Sequence, residues 1–349
     1  MMSNSNEHFQ FTDERFADLQ MLRYRLNGFE DLTLSQQIYI YCLAKATLMG
    51  RDITFDQQGK YNLRIRKTLE AIYKHYDGDR TSDDFKALEV YLKRVWFSSG
   101  IYHHYGCEKF KPGFSEHFFY EAVSMMPETE LPLKRGETKE DLLDELVPVI
   151  FDEEILPKRV NQTDGVDLVA TSACNFYEGV TQNEVERFYA KLKDGEDLTP
   201  PSYGLNSKLM KRNGEIVEMT WKEEGMYGTA IKEITSWLLK AQKYAENEQQ
   251  AHVIDLLIKY YRTGDLSDFD RYSIAWVKQQ EGMVDFINGF IEVYGDPLGL
   301  KGTWEGLVEF KDMKATRRTQ AISQNAQWFE DRTTTRSTWV CNIPRSCRR

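Results

Sequence analysis

The chain has 349 residues, a net charge of −10 and a pI of about 5.3. Hydrophobic residues make up 41% of it and aromatic residues 13%, which is enough for one large domain or two smaller ones. The acidic balance argues against non-specific nucleic-acid binding, and no apolar run approaches the roughly 20 residues that cross a bilayer. The polar N-terminus lacks the apolar core of a signal peptide. We therefore expect a cytoplasmic protein without nucleic-acid or membrane partners.

The cysteines do not form a disulfide framework, because they are odd in number and scattered along a long chain. The first three lie in apolar settings and are expected to be buried thiols. The five positions are Cys42, Cys107, Cys174, Cys341 and Cys347.

Apolar residues at helical spacing predict that the first half of the chain is helical. Thr33-Leu34-Ser35-Gln36 is a capping box, in which the first and last side chains satisfy backbone N–H groups and open a helix. Thr138 followed by Asp141 predicts a second start of this kind. The predicted helices cover residues 16–26, 34–50, 63–76, 83–97, 115–125 and 138–147.

The middle of the chain is predicted to contain the sheet. Residues 167–177, DLVATSACNFY, have the composition of a strand. Thr181 caps a helix that extends to about Leu192. Asn213-Gly214 lies between two alternating segments and predicts a hairpin over residues 205–222, because both turn residues tolerate positive φ.

Helices are predicted again over residues 229–245, 248–261, 267–277 and 311–329. Between the last two, the run Phe286 to Tyr294 predicts a buried strand, interrupted by the acids Asp285 and Glu292 at its ends. A dense turn and a second apolar stretch follow. Rigid turns after buried strands often carry function. The pattern as a whole indicates a mostly helical α+β protein.

The last segment differs in composition from the rest. From Arg332 onward it contains five arginines and no acid. A natural basic tail is one interpretation. We favour a reading-frame artefact, so residues 333–349 are expected to be an aberrant or disordered tail outside the fold.

The printed sequence contains no complete catalytic or metal-binding motif. H-E-x-x-H, C-x-x-C, G-x-S-x-G, the Walker loop and G-x-G-x-x-G are all absent from it. His103, His104 and Cys107 form the only local cluster, and adjacent histidines point apart, so that aromatic packing is the favoured interpretation. We predict neither a catalytic residue nor a metal ligand in this chain.

Four strings resemble one known family. GFIEVYGDPLGLKGTWEGLV (residues 289–308) resembles the segment GFIE-x-Y-x-DP-x-G…EG of dipeptidyl peptidase III, the M49 metallopeptidases. KRVWFSSGIYHHYGCEKFKPGF, SACNFYEGVTQNEVERFY and YGLNSKLMKRNGE resemble bacterial members, particularly those of Bacteroidetes. The resemblance covers residues 13 to 332 and fails in the arginine-rich tail.

The resemblance implies two lobes about a cleft: one built around a five-stranded β-barrel with helices, the other helical and holding zinc. Residues 1–165 would then be the helical part of the barrel lobe and 166–297 its strands and packing helices. Residues 298–332 would form a hinge and the start of the zinc lobe. The family's zinc ligands lie in H-E-x-x-G-H and E-E-x-x-A-D segments, and neither string occurs in this sequence.

The resemblance also implies a place for substrate. Family members hold the free amino terminus of a peptide partly through an acid just before G-F-I-E, which is Asp285 here. A carboxylate suits an ammonium group because the two form a charge-assisted hydrogen bond. Many relatives carry an aromatic residue where this chain has Ile287. Asn288 is expected to contribute to binding, and Gly295, Pro297, Gly299 and Gly302 to form the hinge.

The favoured function is therefore that of a truncated dipeptidyl peptidase III that supplies the peptide-binding lobe and is inactive alone. The alternative is a non-catalytic peptide-binding or scaffold module. Either would take oligopeptides with a free amino terminus as partners. Apolar surface near residues 298–330 is expected to be exposed and to favour self-association. No cofactor is expected in this chain, whereas the resemblance implies zinc in the intact family.

Overall fold

The computed structural model describes residues 9–193 and 195–332. Within these ranges the chain forms an α+β fold in which helices predominate. The helices are α1 Leu34–Met49, α2 Arg51–Gln57, α3 Asn62–His75, α4 Asp83–Ser98, α5 Glu116–Met125, α6 Lys139–Phe151, α7 Gln182–Ala190, α8 Gly228–Gln242, α9 Glu248–Thr263, α10 Leu266–Lys278, α11 Met313–Gln324 and α12 Ala326–Glu330. The strands are β1 Thr12–Phe16, β2 Leu19–Leu22, β3 Tyr177–Glu178, β4 Ser207–Arg212, β5 Glu215–Thr220, β6 Val284–Glu292 and β7 Thr303–Phe310.

Most predicted helices are confirmed because their start signals are local. The Thr33 and Gln36 side chains form the expected capping box at α1, and Thr138 with Asp141 does the same at α6. The seven-residue α2 was not predicted. It follows α1 directly after Gly50, so that the sequence gives no polar loop to mark a new helix.

The predicted helix over residues 16–26 is wrong, since that segment forms the β1–β2 hairpin. The strands turn at Ala17, which has a positive φ of 48°. Asp18 pairs with Arg94 of α4 at 2.7 Å, and Glu14 pairs with Lys93. Contacts with a helix that is distant in sequence therefore determine the secondary structure of this segment, although its apolar spacing alone predicts a helix.

The predicted strand over residues 167–177 is also mostly wrong. Asp167 Oδ1 accepts hydrogen bonds from the backbone N–H groups of Val169 and Ala170, which makes residues 167–171 a turn. Only Tyr177–Glu178 is extended, and it pairs in parallel with β4.

The strands lie in three small sheets, ordered β1-β2, β3-β4-β5 and β6-β7. The β4–β5 hairpin turns at Asn213-Gly214 as predicted, with Arg212 opposite Glu215. The family's closed five-stranded barrel is not confirmed, because the strands within the described ranges do not close on one another.

Three apolar clusters make up the core. The first joins α3 to α6, the second joins α1 and α8–α10 to β6 and β7, and a small third one lies around Val185 and Leu209. The division of the chain at 165 and 297 stays a prediction. In the structure α1 packs on α8 and β7, so the second cluster draws on residues from all three predicted parts.

Two of the three thiols in the described part of the chain are buried as predicted, Cys42 and Cys174. Cys107 is only half-buried, which corrects the expectation for it. Cys341, Cys347 and the predicted aberrant tail lie outside the described residues. Within the ranges that are described, no helix is long and apolar enough to cross a membrane.

Candidate functional site

The β6–β7 hairpin places the predicted binding residues, and its start is held by one carboxylate. Glu246 accepts hydrogen bonds from the backbone N–H groups of Met283 and Val284, and a third from Gln36 Nε2 at 2.8 Å. These bonds fix the entry of β6 between α1 and α9. Phe290 and Trp304 then fill the second core cluster, which leaves alternate residues facing outward.

Asp285 lies on the outward face at the beginning of β6 and is exposed. Its Oδ1 atom accepts hydrogen bonds from Trp276 Nε1 at 3.1 Å and from the N–H of Phe286 at 2.8 Å. Within the described residues, no donor reaches its Oδ2 atom. The carboxylate is therefore oriented through one oxygen while the other can accept a bond from a ligand.

A second acid shares this face. Asp285 is paired with Glu309 in the β6–β7 register, and paired residues on adjacent strands point to the same side. Like charges in such positions repel each other. This end of the hairpin therefore carries two neighbouring negative charges, which an ammonium group would partly neutralise.

A cavity of about 10 Å³, the size of one water molecule, lies beneath Asp285. Tyr39 lines this cavity, and its buried hydroxyl has no hydrogen-bond partner within the part of the chain that the structure describes. Burial raises the pKa of the Tyr39 hydroxyl, and the charges of Glu246 and Asp285 add to the effect. The cavity thus offers a polar position next to the exposed carboxylate.

Asn288 is not brought to the same face as Asp285. It is 1% exposed, and its Oδ1 atom accepts a hydrogen bond from Tyr261 Oη at 2.5 Å. Three positions along a strand reverse the direction of a side chain, which explains why the two residues point apart. In this structure Asn288 satisfies a buried tyrosine; its contribution to peptide binding stays a prediction.

The turn after β6 is held in place by Asp296, which sequence reasoning treated only as a turn residue. This buried carboxylate accepts bonds from the N–H groups of Leu298, Leu300 and Lys301, and from Tyr177 Oη at 2.8 Å. Burial raises its pKa, although these bonds favour the charged form. An aspartate at the start of a turn is a known signal for such bonding.

The predicted hinge residues are also fixed at both ends of the turn. Gln162 Nε2 donates to the carbonyl of Pro297 at 3.1 Å, and the N–H of Gly302 donates to the carbonyl of Leu205 at 2.7 Å. The buried Gln57 side chain bonds the carbonyl of Gly302 and the N–H of Trp304. The turn is thus closely packed on its neighbours in this conformation, and a hinge role stays a prediction.

Lys301 is fully buried at the end of this turn. Its ammonium group donates to Tyr189 Oη and to Ser207 Oγ, the latter at 3.0 Å, and lies 3.9 Å from Glu218 Oε1. Burial lowers the pKa of Lys301 to about 8, while the charges of Glu218 and Asp296 act in the opposite direction. This network joins the turn to α7, β4 and β5, and no pattern in the sequence indicated that a lysine here would be buried.

The His103, His104 and Cys107 cluster does not bring three ligands together. His103 Nδ1 accepts hydrogen bonds from the N–H groups of Tyr105 and Gly106. The Cys107 sulfur accepts a bond from Arg159 Nη2 at 3.4 Å. Packing and local turn formation therefore occupy these side chains, in agreement with the interpretation favoured from the sequence.

Comparison with known proteins finds a similarity to one peptidase family. The model described as "Peptidase family M49" matches residues 201–332, which include the β4–β5 hairpin, the β6–β7 hairpin and the turn between β6 and β7. The chain is similar to peptidase family M49 over this segment. The chain is also 22% identical to "Dipeptidyl peptidase 3" of Dictyostelium discoideum over 88% of its own length and 46% of that relative. The Homo sapiens protein of the same name is 22% identical over 86% of this chain and 45% of the human protein.

Solved structures show a similarity of fold. The structure of dipeptidyl peptidase III from Caldithrix abyssi matches 88% of this chain with a TM-score of 0.56 and 18% identity. The enzyme from Corallococcus sp. strain EGB covers 89% with the same TM-score and 14% identity. The chain spans about 45% of the length of each of these proteins.

Zinc, which the family resemblance implies, does not fit the residues described here. Across residues 9–193 and 195–332, no three His, Cys, Asp or Glu side chains are placed so that they could hold a metal ion. A zinc site of the usual kind needs at least three protein ligands.

Proposed function

We propose that this chain forms the peptide-holding part of a dipeptidyl peptidase III, with the carboxylate of Asp285 receiving the free amino terminus of the peptide. The intact enzyme would release dipeptides from peptide N-termini with the help of zinc, held by family segments that do not occur in this sequence. The observation that carries the proposal is the exposed Asp285 carboxylate, oriented through Oδ1 by Trp276 and unpartnered at Oδ2 within the described residues.

The surroundings of Asp285 support this role. An ammonium group that bonds Oδ2 would also reduce the repulsion between Asp285 and Glu309. The water-sized cavity and the Tyr39 hydroxyl lie within the same small region. Because Asp285 is exposed, the ion pair alone would contribute modestly, on the order of 1 kcal/mol. The rest of the affinity would come from the peptide backbone and side chains.

Self-association belongs to the same proposal. Trp328 and Phe329 are each 50% exposed, and helices α11 and α12 bury none of their residues. Apolar surface of this kind favours association between copies or with another protein part. Light scattering that reports a monomer at every protein concentration would contradict this component. A cytoplasmic location also stays a prediction.

The proposal is tested by separating binding from turnover. The purified chain should bind a tetrapeptide weakly in calorimetry, and Asp285→Ala should weaken that binding. It should release no arylamide from a dipeptidyl-arylamide substrate, with or without added zinc. Chelator-sensitive turnover by the chain alone would contradict the second expectation. Equal binding by wild type and Asp285→Ala would contradict the first.

A further inference from the structure

A cavity of about 350 Å³ lies between the start of α3 and the segment that leads into β3. Its volume is within the range of small-molecule sites, which is roughly 300–1,000 Å³. The residues that line it do not include Asp285 or Glu309, so it is separate from the proposed ammonium site. The family resemblance assigned no role to any of its residues.

One part of the wall of this cavity is apolar. Leu156, Val169 and Val180 contribute aliphatic side chains to it, and Tyr61 and Tyr177 are the aromatic residues of the lining. Val169 and Val180 also belong to the third core cluster, so this part of the wall is fixed by packing. An apolar group of a ligand would be removed from water here, and this burial of apolar surface is the main source of affinity in such pockets.

Lys208 holds two polar side chains of the lining, Asn175 and Glu178, in place. This lysine is 5% exposed, and its ammonium group donates to Asn175 Oδ1 and to Glu178 Oε2, both at 2.6 Å. The Nδ2 atom of Asn175 in turn donates to Asp56 Oδ2 at 3.0 Å. Both lining side chains are therefore fixed before a ligand arrives, which lowers the entropy that binding would remove.

The charged side chains that line the cavity are those of Lys60 and Glu178. Glu178 faces the cations Lys208, Lys60 and Arg212, and the hydrogen bond from Lys208 together with these charges lowers the pKa of its carboxyl group. Lys60 lines the cavity, is exposed, and makes no salt bridge within the described residues; its ammonium nitrogen lies 5.7 Å from the centre of the Tyr61 ring. The Lys60 ammonium group can therefore pair with an incoming anion.

We propose that this cavity binds a small molecule or peptide end in which an apolar side chain lies next to a carboxylate. The apolar group would fill the space between Leu156, Val169 and Val180, and the carboxylate would pair with Lys60. Two sources share this chemistry, the C-terminal residue of a peptide and a free monocarboxylate. The inference does not depend on the role proposed for Asp285.

Calorimetry with N-acetyl-L-phenylalanine tests the proposal, with its carboxamide and octanoate as comparison ligands. We expect the acid to bind and the carboxamide to bind about tenfold more weakly or less, because it lacks the charge. Lys60→Met should cause a similar loss. Lys86→Met, which changes another exposed lysine that does not line the cavity, should bind as wild type does.

A second variant tests the location. Ala170 is exposed at the edge of the cavity, so Ala170→Trp should block it without disturbing the core, with an unchanged thermal midpoint as the control. Asp285→Asn should leave binding unchanged, which separates this site from the ammonium site. Binding of N-acetyl-L-phenylalanine but not octanoate would assign the peptide end, and equal binding would assign free monocarboxylates. No binding by wild type, equal binding of acid and carboxamide, or full binding by Ala170→Trp would overturn the proposal.

Discussion

Asp285 and Glu309 lie opposite each other in the register of β6 and β7, so two carboxylates share one face at the end of the hairpin. Pairs of like charge in this position destabilise a sheet by roughly 0.2–1 kcal/mol. Local stability does not explain this pair. A ligand with a positive group would gain from both acids, which is why we place the amino terminus of a peptide here.

Replacing Asn288 should destabilise the fold. Asn288→Ala would leave the buried Tyr261 hydroxyl without its acceptor, and we expect a loss of about 2–3 kcal/mol in the free energy of unfolding. Urea unfolding of Asn288→Ala, Tyr261→Phe and the double variant would measure it. The double variant should lose much less than the sum, because the two residues share one bond. Strictly additive losses would contradict this account of Asn288.

Lys301 should make stability depend on alkaline pH. Its folded pKa of about 8 lies below the ordinary value of 10.5, so between these values the unfolded chain retains a proton that the folded chain has lost. The free energy of unfolding should therefore rise with pH in this window, by at most about 3 kcal/mol, relative to Lys301→Met.

The comparison with Lys301→Met is needed because buried tyrosines lower the free energy of unfolding as the pH rises, which is opposite to the effect of Lys301. Burial raises the pKa values of Tyr91 and Tyr260, which are not among the partners of Lys301, and this reduces stability near pH 10 and above in both proteins. Urea unfolding of the two proteins at several pH values from 7 to 10.5 gives the difference directly. Parallel curves across this range would show that Lys301 does not titrate as proposed.

Two glycines of the predicted hinge should respond differently to alanine. A Cβ atom on Gly302 would lie 2.7 Å from the carbonyl carbon of Phe290, and backbone cannot move aside without disturbing the hairpin. We expect Gly302→Ala to cost about 1–3 kcal/mol. A Cβ atom on Gly295 would meet only Thr303 Oγ1 at 2.8 Å, a side-chain atom that can shift, so Gly295→Ala should cost less. Equal losses in chemical denaturation would contradict the packing explanation.

The sequence predicted those elements whose signals are local. The adjacent residues Asn213 and Gly214 are enough to predict the β4–β5 hairpin. Thr33 and Gln36, which lie within one helical turn, are enough to predict the start of α1. The β1–β2 hairpin could not be predicted in this way, because its acids pair with α4 almost 80 residues later. Its apolar spacing fits a helix equally well until that partner is known.

The same distinction between local signals and long-range contacts applies to the residues of the candidate site. Asp285 could be proposed from the string that follows it, and the structure places it on an exposed face. Lys301 could not, because the partners that bury it, Tyr189 and Ser207, lie 112 and 94 residues away in sequence. Asn288 was predicted to bind peptide. Side chains alternate along a strand, so Asn288 points into the core while Asp285 points outward. This orientation could be recognised only once the register of β6 was known.

The most direct measurement of the central claim is a calorimetric cycle with one tetrapeptide, its N-acetylated form, wild-type protein and Asp285→Asn. Acetylation removes the ammonium charge, and the substitution removes the carboxylate charge while keeping its shape. We predict that acetylation weakens binding to wild type by about tenfold and has little effect on Asp285→Asn. The same loss on acetylation in both proteins would show that the amino terminus is not held by Asp285.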